Sequence, residues 1–392
     1  GLVGSEMCIR DRAVATSGLE ALTLGNSVTS GTGDEFIADN IGLDIDVGGT
    51  LVGPRQVGFR GYQTVVHDQL TTDTTYTSPN VLYNEGIPGD TTDELVYDRL
   101  PSILERHSDF NAAFVMIGTN DVNRNSPPPS GLGCSGASCN GTYKGQLLDL
   151  VDTLAASGVQ PIIARMPPIF GQSGSPYSNP FGGSTRNTAV QEFNAAADEV
   201  ISERGLQAGP NFFNEFLGAG ENRYTLFDDF LHPNSLGYRW MANAWKQVIA
   251  PDGTVPFVLE GICVRRSNNN CLNPTPYKQN LRGVGDGYYL DRSYTITSIP
   301  AALADGVWLL PDNDDKNISR DDYIEFTVDR DVDVFVAFTP TATTLPNWMA
   351  PFSSTGEVVG VTAGTPTLNV YSNFYSAGSV SYTHLRAHET VV

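Results

Sequence analysis

Residues 19–29 read LEALTLGNSVT, an apolar run that ends abruptly in small and polar residues. The run 19–24 has the length and composition of a buried strand, and Gly25 permits a sharp turn directly after it. Ser27 is then expected at the end of that strand, with its hydroxyl at the edge of a sheet. A serine after a glycine most often serves only the turn, so a further role for Ser27 needs support from elsewhere in the chain.

Apolar strands and amphipathic helices alternate from this first strand to about residue 250. Further strands are predicted at residues 114–117, 160–164 and 211–216, and helices at 147–154, 187–204 and 235–249. Such alternation indicates an α/β domain, with a parallel sheet covered by helices on both faces. In sheets of this kind, ligands bind outside the carboxyl ends of the strands, where Ser27 and Asn120 are expected.

Three later segments supply polar groups that suit one reaction. They are NEGIPGDTT at residues 84–92, GTND at 118–121 and DFLHP at 229–233. Together with GNSVT they offer a nucleophilic hydroxyl, donors for an oxyanion, and a base with a carboxylate beside it. These are the groups required to hydrolyse an ester through a covalent intermediate.

Asp229 stands three residues before His232, one of three histidines between residues 13 and 380. At this spacing on a tight turn the two side chains share one side, so the carboxylate can hold one ring nitrogen. The other nitrogen can then accept the proton of Ser27, as in a catalytic triad. The alternative is that Asp229 caps the helix predicted to follow, with His232 at the surface.

Gly89 and Asn120 are the candidate oxyanion donors. A glycine lets its backbone N–H approach an oxyanion closely, and an asparagine side chain offers an uncharged N–H. With the N–H of Ser27 they would provide three donors. Taken singly, either residue is better explained by a turn. The chemistry needs no metal, and no cofactor is predicted.

With these residues in place, the chain resembles the GDSL-type, or SGNH, hydrolases over residues 17–250. The segments 84–95 and 118–121 are especially similar to the second and third sequence blocks of that family. The resemblance implies a three-layer α/β/α fold. It also implies roles for the residues named above: Ser27 as nucleophile, His232 as base, Asp229 as the partner of the base, and the N–H groups of Ser27 and Gly89 with the Asn120 side chain as oxyanion hole.

Two departures from the family pattern are visible. Asn26 stands where the family usually has an aspartate, a residue that transfers no proton there, and asparagine keeps much of its hydrogen bonding. The stretch 34–79 is long; its residues 58–70 are expected to form the usual helix, and the rest to wall the substrate pocket together with the loop 134–139. Arg165, after the strand at 160–164, is a candidate substrate contact or, equally, a structural ion-pair partner.

Four cysteines lie between residues 13 and 380, in two close pairs: Cys134 with Cys139, and Cys263 with Cys271. Neither pair has the spacing or the histidines of a zinc site. Two disulfides in short loops of a secreted protein are the preferred interpretation. Four reduced loop cysteines are the alternative.

The charge balance limits the partners of this chain. It has 44 acidic and 23 basic residues, a formal net charge of −21, spread along its length. Such a polyanion repels nucleic acid and anionic membrane surfaces, so neither is expected as a partner, and a strongly acidic polymer is disfavoured as substrate. No apolar run approaches twenty residues, so no membrane span is predicted.

From about residue 255 the pattern changes to short alternating runs, such as those at 288–297, 323–328 and 332–338. Short strands with turn residues between them predict an all-β sandwich domain over residues 255–380, after a hydrolase domain at 13–254. The segments 1–12 and 381–392 differ in texture from the rest and resemble translated sequencing adapters, so they are excluded from the fold prediction. A signal peptide is then expected to be missing, as is the last strand of the sandwich.

The β-sandwich more loosely resembles modules of secreted polysaccharide-active enzymes, mainly through residues 288–297 and 313–317. Trp308 and Trp348 are candidates for stacking on sugar rings, although such tryptophans more often lie in a core. If the module binds glycan, the expected reaction is removal of acetyl groups from a polysaccharide. The alternatives are general short-chain ester or lipid hydrolysis, and glycan binding with an inactive hydrolase domain, for which Asn26 is the sole support.

Overall fold

The computed structural model describes most of the chain, including all the predicted catalytic and oxyanion residues. The described residues are 19–32, 46–47, 50–51, 61–71, 81–107, 109–124, 126–170, 186–217, 223–251, 257–266, 269–272, 276–304, 306–318, 323–341, 345, 349–362, 367–382 and 390–391. The segment 1–12 and Trp348 lie outside them. No helix among these residues is long and apolar enough to cross a membrane.

A parallel sheet is the centre of the first region. The strands described there are β1 (Glu20–Gly25), β2 (Asp46–Val47), β3 (Thr50–Leu51), β4 (Val81–Gly86), β5 (Ala112–Met116), β6 (Gln160–Arg165) and β7 (Ala208–Asn211). Five of them form the sheet, in the order β4-β1-β5-β6-β7, and β2 pairs separately with β3. Gly25 is in register with Gly86 and with Met116, so three strands end at the same edge.

Helices cover both faces of this sheet. They are α1 (Ser27–Ser30), α2 (Tyr62–Thr71), α3 (Leu100–Arg106), α4 (Thr119–Asn123), α5 (Tyr143–Ala156), α6 (Arg186–Arg204), α7 (Phe212–Leu217) and α8 (Ser235–Ile249), with a π-helical segment, Glu94–Arg99, before α3. Successive side chains of a strand enter opposite cores. Phe114 stacks on Trp245 of α8, whereas Val115 shares the other core with Leu147 of α5. The predicted three-layer α/β/α fold is therefore confirmed.

One predicted element of this region is wrong. The strand expected at residues 211–216 is instead the end of β7 followed directly by α7. Phe212 and Phe216 lie one helical turn apart in one core, and Phe213 enters the other. A short aromatic run does not distinguish a buried strand from a buried helix, and here the helix is formed.

Two antiparallel sheets make up the second region. Its described strands are β8 (Glu260–Val264), β9 (Lys278–Asn280), β10 (Ile296–Ser298), β11 (Trp308–Leu310), β12 (Ile324–Val328), β13 (Val332–Phe338), β14 (Ser353–Val361), β15 (Thr367–Tyr375), β16 (Gly378–Tyr382) and β17 (Thr390–Val391). The larger sheet has the order β10-β14-β15-β13-β17-β11-β9, and the smaller has the order β16-β12-β8. Phe326 of the smaller sheet and Val336 of the larger one share a buried core. The prediction of an all-β region after the α/β region is confirmed.

The details of this region differ from the sequence pattern. The runs predicted at 323–328 and 332–338 become β12 and β13, whereas residues 288–295 are not in a strand. Trp308 has no exposed surface, so it is a core residue and not a sugar-stacking one. The boundary predicted at residue 380 falls inside β16, and β17 of the excluded segment pairs with β11 and β13.

Both cysteine pairs are joined as predicted. Cys134 bonds to Cys139, and Cys263 bonds to Cys271. The first disulfide closes the loop before α5, and the second closes the loop after β8.

Candidate active site

Ser27 is the first residue of α1, two positions after the end of β1. Gly25 makes this turn possible, because a Cβ there would lie 2.1 Å from Thr29 Oγ1 and 2.4 Å from the Met116 carbonyl oxygen. Only a glycine permits so close an approach between the turn and strand β5. Ser27 itself is 7% exposed, so it is almost fully buried.

Asn26 caps the helix that Ser27 begins. Its Oδ1 accepts the backbone N–H of Val28 at 3.1 Å. Its Nδ2 is buried and has no hydrogen-bond partner among the described residues. An aspartate would present the same capping oxygen. The asparagine therefore keeps the local structure that holds Ser27.

Ser27, His232 and Asp229 form a continuous hydrogen-bonded chain. His232 Nε2 lies 2.9 Å from Ser27 Oγ, and His232 Nδ1 lies 2.8 Å from Asp229 Oδ2. The second carboxylate oxygen, Oδ1, accepts the backbone N–H groups of Leu231 at 2.6 Å and of His232 at 2.7 Å. One carboxylate thus fixes both the turn and the ring that the turn carries.

The charge state of Asp229 follows from these contacts. Burial by itself raises the pKa of this carboxyl, but the hydrogen bonds from the His232 ring and from two backbone N–H groups outweigh burial and hold the pKa below its usual value. The carboxylate is therefore ionised at neutral pH. It favours the tautomer with the proton on Nδ1, which leaves Nε2 to accept a proton from Ser27.

The turn that carries His232 is also held from its other end. Asn234 caps α8, with its Oδ1 accepting the N–H of Gly237 at 3.0 Å. The backbone N–H of Asn234 donates to the carbonyl oxygen of Leu226 at 2.9 Å. Helix capping, the alternative role for Asp229, is thus performed by Asn234.

Gly89 lies in the exposed turn that follows β4. Its φ of +90° is in the left-handed region, and no atom lies within 4 Å of the place where a Cβ would stand. The glycine therefore serves the backbone conformation and not the packing. Its N–H has no acceptor among the described residues, which leaves this donor to a ligand.

Asn120 joins this turn from the end of β5. Its Nδ2 donates to the carbonyl oxygen of Asp90 at 2.8 Å. Because an amide nitrogen carries two hydrogens, one N–H remains for a ligand. The turn is tied to the Ser27 segment as well, since the N–H of Ile87 donates to the Gly25 carbonyl oxygen at 3.1 Å.

Residues that the sequence analysis did not single out hold the same turn. Arg99 pairs with the Asp90 carboxylate and donates to the Glu85 carbonyl oxygen at 2.7 Å. Asp121, with no exposed surface, accepts the N–H and the hydroxyl of Thr92 at 3.0 and 3.1 Å. Burial raises the pKa of Asp121 to about 6, although the bonds from Thr92 oppose the rise. The sequence indicated these residues only by their position, since they flank or lie within the segments at 84–92 and 118–121.

Arg165, the last residue of β6, makes contacts of the structural kind. Its guanidinium donates to the Ile163 carbonyl oxygen at 3.3 Å and pairs with Asp198 of α6 at 3.4 Å. A role in substrate binding stays a prediction for this residue. The structure brings together Ser27, His232 and Asp229, and it ties Asn120 to the turn of Gly89.

Comparison with known proteins gives a family match over more than half of the chain. Residues 23–240 match the GDSL-like Lipase/Acylhydrolase family. A search of curated proteins finds no match.

Solved structures provide further similarities. One is a single-residue variant of Axe2, an acetyl xylan esterase from Geobacillus stearothermophilus, with 18% identity and a TM-score of 0.43, covering 62% of this chain and 99% of that one. Another is LAE5, an alpha/beta hydrolase enzyme from the metagenome of Lake Arreo, Spain, with 19% identity and a TM-score of 0.42, covering 61% of this chain and 98% of that one.

Proposed function

Since the chain belongs to the GDSL-like lipase/acylhydrolase family, a family of carboxylic ester hydrolases, we propose that it cleaves esters through an acyl-enzyme formed on Ser27. The hydrogen-bonded chain from Ser27 through His232 to Asp229 is the observation that supports this most strongly. The base lies within hydrogen-bond distance of both the nucleophile and the carboxylate that orients it.

The first half of the reaction acylates Ser27. As Oγ attacks the ester carbonyl carbon, His232 Nε2 takes the hydroxyl proton, and the Asp229 carboxylate stabilises the imidazolium. Negative charge develops on the carbonyl oxygen. The N–H groups of Ser27 and Gly89 and the Asn120 amide stabilise this charge by donating hydrogen bonds to the oxygen. His232 then gives its proton to the leaving alcohol, and the carbon–oxygen bond to that alcohol breaks.

The second half repeats these steps with water. His232 removes a proton from the water, which attacks the acyl carbon. The same donors stabilise the second oxyanion by hydrogen bonds. Return of the proton to Ser27 Oγ releases the carboxylic acid and restores the site.

For the substrate, we assign an acetyl group on a polysaccharide and a secreted location. Two disulfides support export, because such bonds persist in oxidising compartments. The sequence of the all-β region loosely resembles modules of polysaccharide-active enzymes, and this supports a polymer substrate. Trp308 adds nothing to this assignment, since it is buried.

Hydrolysis of p-nitrophenyl esters from acetate to palmitate, followed by acetate release from acetylated xylan, tests the proposal. The protein is compared with Ser27→Ala and with a matched control, Ser157→Ala, whose hydroxyl donates to the Thr153 carbonyl oxygen at an exposed helix end. We expect acetate-selective turnover and release of acetate from xylan, both lost only in Ser27→Ala. Preference for long chains would identify a lipase instead, and folded protein inert on every ester would overturn the proposal.

A further inference from the structure

Strand β9 of the all-β region contacts the helix that follows His232. The carbonyl oxygen of Gln279 accepts the side-chain N–H of Asn234 at 2.9 Å, and Asn280 Oδ1 accepts the backbone N–H of Leu236 at 3.1 Å. Asn234 is two residues from His232 and caps α8. Gln279 and Asn280 are each 2% exposed, so these bonds are shielded from water.

The side chain of Gln279 bonds two further segments, at Thr225 and at Leu259. Its Nε2 donates to Thr225 Oγ1 at 2.9 Å and to the Leu259 carbonyl oxygen at 2.8 Å, while its Oε1 accepts the N–H of Leu259 at 2.8 Å. Strand β9 is itself paired with β11 of the larger sheet, with Gln279 opposite Leu309. The residues before and after His232 are therefore bonded to a strand that a seven-stranded sheet holds in place.

Lys278 begins β9 and contacts Tyr224, which precedes the turn of Asp229 and His232. Its Nζ stands 3.2 Å from the centroid of the Tyr224 ring and donates to the Tyr224 carbonyl oxygen at 3.3 Å. Burial lowers the pKa of this ammonium to about 7, and the carboxylates of Asp228 and Asp229 act against that fall. The lysine thus interacts electrostatically with the carboxylate that orients His232.

We propose that β9 is a positioning element of the active site: Gln279 and Asn280 fix the residues on either side of the turn of Asp229 and His232, and Lys278 holds Tyr224 before that turn. This inference rests on the proposed function, because it assigns a role in the same reaction. It makes the all-β region part of the catalytic unit and not only a separate binding module.

Substitutions in β9 are expected to change kcat and not KM. Gln279 and Asn280 bond the protein backbone and the Asn234 and Thr225 side chains, so loosening them alters the distance between His232 and Ser27. The loss is expected in kcat, with KM for a small ester nearly unchanged.

Lys278 holds the residues before the turn in a second way. Its ammonium lies over the Tyr224 ring and donates to the Tyr224 carbonyl oxygen, and Lys278→Met would lose both contacts. We expect this loss in kcat as well, with KM for a small ester nearly unchanged.

The test uses the full chain with p-nitrophenyl acetate and the variants Asn280→Ala, Asn280→Asp and Lys278→Met. Asn280→Ala removes the oxygen that accepts the backbone N–H groups of Leu236 and Leu281, whereas Asn280→Asp keeps an oxygen there. Lys278→Met keeps the length of the side chain without its charge. Arg330→Met is the matched control. Arg330 is another cation that lies over an aromatic ring, with its Cζ 5.6 Å from the centroid of Phe257.

We expect kcat of Asn280→Ala to fall about tenfold with KM within about twofold, as for a loss of orientation. Asn280→Asp should recover most of that loss. Lys278→Met should also lower kcat, whereas Arg330→Met should change neither kcat nor KM. Circular dichroism and thermal unfolding identify variants that fail to fold. If Asn280→Ala does not fold, the kinetics of Lys278→Met test the inference instead.

The inference is overturned if folded Asn280→Ala and Lys278→Met match the wild type in kcat. In that outcome the wild type is still active and Ser27→Ala still inert, so the proposed function stands. An inert wild type would instead remove the proposed function and this inference together.

Discussion

Ser27 Oγ and His232 Nε2 lie 2.9 Å apart, although 205 positions separate the two residues in the chain. The end of β1 places the serine, and the turn before α8 places the histidine. The hydroxyl of Tyr238, on α8, donates to the Thr32 carbonyl oxygen at 2.7 Å, directly after the serine helix. The distance between nucleophile and base is therefore set by bonds between their supporting elements.

Replacing Asp229 tests the role of its charge. In Asp229→Asn the side chain keeps its shape but no longer favours the proton on Nδ1 or stabilises the imidazolium. We expect kcat to fall about 10³- to 10⁴-fold, as in triads that lose their carboxylate. Steady-state kinetics on p-nitrophenyl acetate measures this, with Asp149→Asn as control, since that exposed carboxylate accepts the Tyr97 hydroxyl. Near-normal turnover in Asp229→Asn would contradict the assignment.

Replacing Asn120 tests the oxyanion hole. Asn120→Ala removes the side-chain donor and is expected to lower kcat about 10²- to 10³-fold, with little change in KM, because the bond strengthens only in the transition state. The exposed Asn140→Ala serves as the control substitution. A rise in KM at unchanged kcat would place Asn120 in substrate binding instead.

Asn26 tests whether the departure from the family pattern matters. Asn26→Asp keeps the oxygen that caps Val28, so we expect ester hydrolysis to persist. Asn26→Ala loses the cap and should lower the free energy of unfolding by about 1 kcal/mol. Urea unfolding and kinetics measure the two effects. An inert wild type beside an active Asn26→Asp would show that the asparagine abolishes catalysis.

Asp121 should make stability depend on pH. Its pKa rises on folding from the ordinary 3.8 to about 6, so the folded state binds this proton more tightly than the unfolded state does. Stability due to this group is therefore present at low pH and lost as pH rises from about 4 to about 6.

Asp121→Asn keeps an acceptor for Thr92 and removes this titration. Relative to that variant, the wild type should lose roughly 2 to 3 kcal/mol of unfolding free energy across the same interval. Urea unfolding at several pH values gives both curves. Parallel curves would show that Asp121 does not titrate there.

The sequence sufficed where the candidate site depends on local structure. Gly25 and Ser27 follow a strand long and apolar enough to identify, and the spacing of Asp229 and His232 brings their side chains together within one turn. Such features depend on neighbouring residues, so they are visible without the fold.

The remaining features depend on distant packing. The helix α7 forms because Phe212 and Phe213 face two different cores, which the letters alone do not show. The bonds of β9 join residues 44 and 45 positions apart through ordinary amides that belong to no motif. Arg99 and Asp121 likewise acquire their roles only when β4 and β5 are placed on either side of β1.

The most direct test of Ser27 as the nucleophile is mass spectrometry of the protein quenched in acid during turnover of p-nitrophenyl acetate. We expect the intact mass to increase by one acetyl group, the modified peptide to carry it on Ser27, and Ser27→Ala to remain unmodified. An acetyl group on another residue that turnover requires, or undiminished turnover by Ser27→Ala, would contradict covalent catalysis at this serine.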